Sequence, residues 1–204
     1  MTTTYILVRR AKEGQKEALG RLLDRYYERV RKIVHLRLGD KLRGLMDSDD
    51  ILQDTFVNAI KSFDRFEMRN EASVINWLSR IAERAIMRQA QHFHAEKRNA
   101  KQVPIDELNT QDLGIQIADG RQGPGTSLSR QEQAQTIEAC IQELPEQYRE
   151  IIVLRNYVEY SWEEVAKEHG RPSVDAARMM HAKAMVELNR RWKEKTGESP
   201  TSLG

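Results

Sequence analysis

Apolar residues recur along this chain every three or four positions, and no stretch alternates with the two-residue period of a strand. The spacing predicts a short helix over Tyr5–Glu13. A long one follows from Lys16 to about Leu38, with Leu19, Leu22, Leu23, Tyr26, Val30, Ile33 and Val34 along one side. Ser48 is the expected cap of a third, whose inward stripe is Ile51, Leu52, Thr55, Phe56, Ala59 and Ile60. A fourth, from Glu71 to about Lys97, should turn Val74, Trp77, Leu78, Ile81, Ala82, Ala85 and Ile86 inward. These four make a helical domain over residues 1–98, within the usual size range.

The periodicity fades across residues 99–126, where Pro104, Gly114, Gly120, Gly123, Pro124 and Gly125 accumulate. That composition reads as a flexible linker, long enough to let two bodies sit tens of ångströms apart. A second, smaller domain over residues 127–195 is expected to hold helices Ser127–Leu144, Pro145–Tyr157, Ser161–Gly170 and Ser173 to about Trp192. Residues 196–204 read as a frayed tail. The fold class is therefore all-α, two helical domains on one linker.

The end of the second domain is the most specific signal. Ser161 and Glu164 have the spacing of a reciprocal capping box, and Val165 and Ala166 give that short helix an apolar side. His169-Gly170-Arg171-Pro172 stops it, because Gly170 can turn left-handed and Pro172 cannot continue a helix. Ser173 then caps a longer, basic helix. Two helices around a tight Gly-containing turn form a helix-turn-helix, which lays its second helix in the major groove. On that helix Ala177, Met180, Ala184, Leu188 and Trp192 fall on one stripe, expected to pack inward. Asp175, Arg178, Met179, Ala182, Lys183, Val186 and Arg190 fall on the opposite arc. Arg178 is suited to guanine edges and the apolar atoms to thymine methyls. A plain solvated face is the competing reading, and Met179 and Val186 argue against it.

Composition narrows the class further. The chain has 204 residues, 39% hydrophobic and 31% charged, and no run of about 18 apolar residues, so no membrane insertion is expected. The N-terminus lacks a secretory pattern, and a cytoplasmic location is expected. The single Cys140 lies among Ile137 and Ile141 and reads as a small core residue, not a nucleophile. The net charge of +2 hides strong local blocks: Arg9–Arg43 carries twelve bases against five acids, Asp47–Glu71 seven acids against three bases. Pro104–Gly120 has four acids and no base, and Arg171–Lys195 seven bases against three acids. Such alternation suits a protein that meets a polyanion on some surfaces and a basic partner on others.

At this point the chain resembles a known family. Leu144-Pro145-Glu146-Gln147-Tyr148-Arg149, then Val153-Leu154-Arg155 and the helix-turn-helix, resemble region 4 of bacterial sigma factors. Asp49-Asp50-Ile51-Leu52-Gln53-Asp54-Thr55-Phe56 looks like the polymerase-docking helix of region 2. Phe63-Asp64-Arg65-Phe66, leading to Asn76-Trp77-Leu78-Ser79-Arg80-Ile81-Ala82, looks like its promoter-melting segment. Two such domains and a linker match the extracytoplasmic-function (ECF) group over nearly the whole chain. The recognition helix Asp175–His181 departs from many relatives in having fewer bases.

The resemblance implies a transcription initiation factor that binds core RNA polymerase through the β′ clamp helices and β. It implies recognition of the −10 and −35 elements of promoter DNA and promotion of melting. An anti-sigma factor is a further partner that it allows. The residues suit these roles in their own right. Arg80, Arg84 and Arg88 recur every fourth position, a basic ridge able to follow a phosphate backbone, with Met68, Arg69, Asn70 and Glu71 at its head to receive an unstacked base. Trp77 suits either the core or the DNA fork, and its neighbours favour the core. Asp50, Gln53, Asp54 and Asn58 should face outward from an acidic helix, a poor DNA surface and a good protein one. For the −35 element the candidates are Arg171, Ser173, Asp175, Arg178, Met179 and Lys183.

Two other classes compete, a metal-dependent enzyme and a free-standing regulator. A carboxylate pair such as Asp50 and Asp54 suits a magnesium site, but no further acids converge on it. His92 and His94, two apart on a helix, point in different directions. No metal, cofactor or catalytic residue is therefore expected, and not an enzyme. The alternative is a helix-turn-helix regulator acting without being a polymerase subunit, which has no need of the acidic docking helix or the arginine ridge.

Overall fold

The computed structural model describes residues 2–43, 46–98 and 127–197, so the expected linker and the end of the tail lie outside the described residues. Every regular element among the described residues is helical. The chain divides into two compact units. One holds residues 1–31 and the chain from residue 43 through the fourth helix; the other holds residues 32–42 and the chain from the fifth helix on.

The first unit is built from α1 (Thr3–Lys12), α2 (Lys16–Arg43) as far as residue 31, α3 (Ser48–Ser62), a 3-10 turn (Phe63–Arg65) and α4 (Ser73–Arg98). The apolar stripes close on one core. Leu22, Leu23, Val30, Ile51, Leu52, Ala59, Val74, Ile75, Leu78, Ile81, Ala82 and Ala85 are all buried. Each larger aliphatic side chain so buried contributes about 1.5–3 kcal/mol. Leu19, Phe56, Ile60 and Ile86, expected within the stripes, are half-buried at their edges. Lys12 donates to the carbonyls of Phe63 (3.0 Å) and Asp64 (2.8 Å), so the first helix caps the chain end after α3.

The first helix starts at Thr3, two residues early, and the second runs to Arg43, past the expected Leu38; two further boundaries differ for a local reason. The cap of α3 is Asp47, not Ser48: Asp47 is extended (φ −78, ψ 128), and its carboxylate accepts from Asp49 N. A carboxylate one residue earlier reaches the orphan amides better, and Ser48 becomes the first helical residue. Asp47→Ala is therefore expected to lower thermal stability by about 1 kcal/mol, with Ser48→Ala costing little. Equal effects of the two substitutions in melting experiments would contradict that assignment. The fourth helix starts at Ser73, two residues later than expected. Ser73 Oγ accepts from Arg69 N (3.0 Å) and Asn70 N (2.9 Å) and donates to Asn70 Oδ1 (3.0 Å), which folds residues 69–73 into a turn.

The second unit contains α5 (Ser127–Gln142), α6 (Glu146–Ile152), a π-helical turn (Val153–Tyr157), α7 (Trp162–Glu168) and α8 (Val174–Thr196), with residues 32–42 packed among them. Gln142 Nε2 donates to the His35 carbonyl (2.7 Å), Lys32 pairs with Glu138 (3.1 Å), and the buried Arg37 side chain pairs with Glu150 (3.1 Å). Gly39 breaks the helical path of α2 at φ 55, ψ 175, and a Cβ there would lie 2.9 Å from Arg149 Nη2. Only glycine meets both conditions without strain. Cys140 is fully buried, and burial pushes its thiol pKa up, as suits a packing residue.

The expected continuous helix over Pro145–Tyr157 is interrupted. From Val153 the backbone widens, Val158 N bonding the Val153 carbonyl (2.9 Å), and Glu159 closes the turn at φ 64. Nothing in the 3.6-residue period reveals such a widening. The last helix runs past the expected Trp192 to Thr196, where Gly197 caps it left-handed at φ 72.

Candidate nucleic-acid interfaces

The acidic face of α3 begins with the cap. Asp49 and Asp50 lie in its first turn, where the helix dipole favours carboxylates, and Asp50, Gln53 and Asp54 are exposed. Asn58, expected outward with them, is instead half-buried, its amide donating to the Asp54 carbonyl (2.7 Å). Beside this face Tyr27 of α2 stacks on Phe56, ring centroids 5.4 Å apart. Burial, then the charge of Asp49, raises the pKa of the Tyr27 hydroxyl. The face thus combines exposed carboxylates with a half-buried aromatic pair, a composition suited to a basic protein surface with apolar points.

Arg80, Arg84 and Arg88 are all exposed on α4, one turn apart. Arg84 lies back along the helix, its Nε donating to the Arg80 carbonyl (3.1 Å), and Arg88 pairs with Asp54 (3.8 Å). So the far end of the ridge leans on the acidic face, a link that sequence spacing could not show. Met87, 54% exposed, lies between Arg84 and Arg88 along the helix. At the head of the ridge Arg69, Asn70 and Glu71 are exposed on the turn held by Ser73, and Met68 is half-buried. Trp77 is half-buried against Phe66 (4.8 Å) and Phe63 (6.1 Å between centroids). It packs as an anchor of the aromatic cluster and stays partly exposed.

In the second unit the helix-turn-helix has the expected local chemistry. Ser161 accepts from Glu164 N (3.2 Å) and Glu164 reciprocally accepts from Ser161 N (2.9 Å). Gly170 turns left-handed at φ 62, and Arg171 N returns to the Ala166 carbonyl (2.7 Å), closing the end of α7. Ser173 Oγ accepts from Ala176 N (3.1 Å) and caps α8. Ala177, Ala184, Leu188 and Trp192 are buried; Met180, expected with them, is half-buried.

All seven residues of the opposite arc are exposed, Met179 by 63% and Val186 by 71%. Towards the C-terminal end Arg190 is taken up by Glu187 and Glu194, and Arg191 by Glu187 (3.2 Å) and Glu143 (3.3 Å). The candidate reading surface is thereby narrowed to the first three turns, around Asp175, Arg178, Met179 and Lys183. Arg171 is half-buried and donates to His169 Nδ1 (3.1 Å), which makes it a turn residue before it is a contact. Around Arg178 lie groups that periodicity did not single out: Arg155 of the π turn, Trp162 at the start of α7, and His181. Arg155 and His181 appear in the sequence only within longer motifs, and Trp162 in none of them.

Among the described residues no group of three His, Cys, Asp or Glu side chains could hold a metal ion, and no helix is long and apolar enough to cross a membrane.

The family comparison follows the same division. Residues 22–94 match the model of sigma-70 region 2, and residues 134–182 that of sigma-70 region 4. The chain is an ECF-type sigma factor of the sigma-70 family. The ECF RNA polymerase sigma-E factor of Haemophilus influenzae is 26% identical to this sigma factor over 188 residues, 91% of this chain and 94% of that protein. SigW of Bacillus subtilis is 25% identical over 163 residues, 78% of this chain and 81% of its own length. In fold, this sigma factor is similar to CnrH, solved with the cytosolic domain of CnrY, at a TM-score of 0.54, 22% identity and coverage of 96% of this chain and 100% of that one. It is similar also to RpoE of Bartonella quintana, solved with the anti-sigma factor NepR, at a TM-score of 0.51, 20% identity and coverage of 85% and 95%.

Proposed function

We propose that this sigma factor is a polymerase subunit for transcription initiation, acting in the cytoplasm, without catalytic residues of its own. The carrying observation is one region 2 unit with an exposed carboxylate face on α3 and an exposed arginine ridge on α4. A simple duplex-binding regulator needs neither. Asp50, Gln53 and Asp54 dock on the β′ clamp, with Asn58 supporting the face from its partly buried position. Arg80, Arg84 and Arg88 track the phosphates of the melted −10 strand. The Met68–Glu71 turn and the partly exposed Trp77 receive its unstacked bases. Melting needs no fuel on this reading: base capture and polymerase contacts offset unstacking, which costs a few kcal/mol per step. An anti-sigma factor is part of the proposal, on the strength of the similar fold of RpoE of Bartonella quintana, solved with the anti-sigma factor NepR.

The test is co-purification with core polymerase followed by transcription of genomic DNA in vitro. A free protein that binds one duplex site at nanomolar concentration and never joins core polymerase would establish the regulator instead. In the −35 domain, Arg178→Ala is expected to cost about 1–3 kcal/mol on the preferred element by loss of a base contact. Lys183→Ala, losing a phosphate contact, should weaken all sequences alike and flatten the salt dependence. Unchanged sequence preference in the Arg178→Ala protein would move that side chain off the bases.

A further inference from the structure

Arg178 is the exposed guanidinium in the first two turns of α8, and its surroundings are built. Asp175, one turn earlier, lies 3.5 Å from its Nη1. From the preceding helix the Trp162 ring stands under it, 5.8 Å from guanidinium carbon to ring centroid. Trp162 is itself held in place. Arg155 lies over the same ring at 4.8 Å and is anchored by donating to the Tyr160 carbonyl (2.7 Å). His181 meets the indole edge-on (5.4 Å, 80°), and its Nε2 bonds Asn156 Oδ1 (2.7 Å). Burial, then the charge of Arg155, holds the imidazole pKa below its ordinary value. Arg155 and Asn156 both come from the π-helical turn, so the widened backbone supplies two of the groups that fix the ring.

An arginine reads guanine through a planar, two-pronged fork, and its orientation matters as much as its charge. A side chain already laid against a ring loses less freedom when it docks. We propose that Trp162 is a positioning residue for base recognition, holding the Arg178 guanidinium flat at the head of the recognition helix, with Arg155 and His181 bracing the ring. This rests on the reading that α8 enters the major groove at the −35 element.

The test uses the full chain bound to core polymerase and promoter duplexes carrying each base pair in turn at every −35 position. Trp162→Met fills the space without a π face, and Trp162→Phe keeps one. W162M should lower discrimination about two- to fivefold, the scale of an exposed cation–π contact, at the one position that R178A also flattens. W162F should keep most of it, and W162M added to R178A should change nothing further. Equal weakening of all duplexes by W162M, with discrimination intact, would reduce Trp162 to packing and overturn the proposal. So would equal losses in W162M and W162F, or an additional loss in the R178A background. R178A leaving every position unchanged would remove the parent reading and the proposal with it. R178A flattening a position that W162M spares would remove only the role of Trp162. Melting curves of the two Trp162 variants confirm that folded protein is compared.

Discussion

Replacing Asp50 and Asp54 together by lysine is expected to abolish association with core polymerase while the protein stays folded. Both carboxylates are exposed and one helical turn apart, so the double reversal puts two cations where the proposed docking face carries two anions. A loss of at least ~100-fold in affinity, about 3 kcal/mol, is the expected scale. The structure also specifies the cost to the fold. Asp50 lies in the first turn of α3, where a cation opposes the helix dipole by about 0.3–1 kcal/mol. Asp54 pairs at 3.8 Å with Arg88, both side chains about half exposed, a contact of small value in solvent. Melting should therefore shift by a few degrees and remain cooperative. A folded double variant that binds core polymerase normally would remove α3 from the docking surface.

Replacing Arg80 and Arg84 by alanine is expected to separate promoter opening from polymerase binding. Both side chains are exposed on α4, and neither supports the core, whose α4 members are Val74, Ile75, Leu78, Ile81, Ala82 and Ala85. Losing two charge-assisted contacts to the melted strand should reduce permanganate reactivity of unpaired thymines by at least about tenfold. Binding to core polymerase should stay within about twofold, because the proposed docking face on α3 is unchanged. Arg88→Ala should behave differently. It releases Asp54, so a modest change in core binding is expected alongside the loss of a DNA contact. Equal defects in binding and opening for the Arg80/Arg84 variant would place the ridge on the polymerase.

Local chemistry made much of this chain readable without coordinates. The capping box at Ser161 and Glu164, the left-handed Gly170 and the cap at Ser173 each depend on a few neighbouring residues. So does the order of apolar positions that buries Leu52, Leu78 and Leu188 while exposing Arg80 and Arg178. Those interactions are short-range in the chain, and the two family regions follow from them in order. Periodicity cannot tell which of two adjacent polar residues reaches a free amide, so Asp47 displaced Ser48 as cap. Nor can it reveal a widened turn at Val153–Tyr157, whose backbone bonds close between residues five or six apart. Contacts between distant positions were decided only in three dimensions. Arg88 with Asp54, Tyr27 with Phe56, Gly39 against Arg149, and Arg178 over Trp162 each join separate elements. A helical stripe states that a residue faces in or out; which neighbour it meets depends on how the stripes pack, and that is a property of the tertiary structure alone.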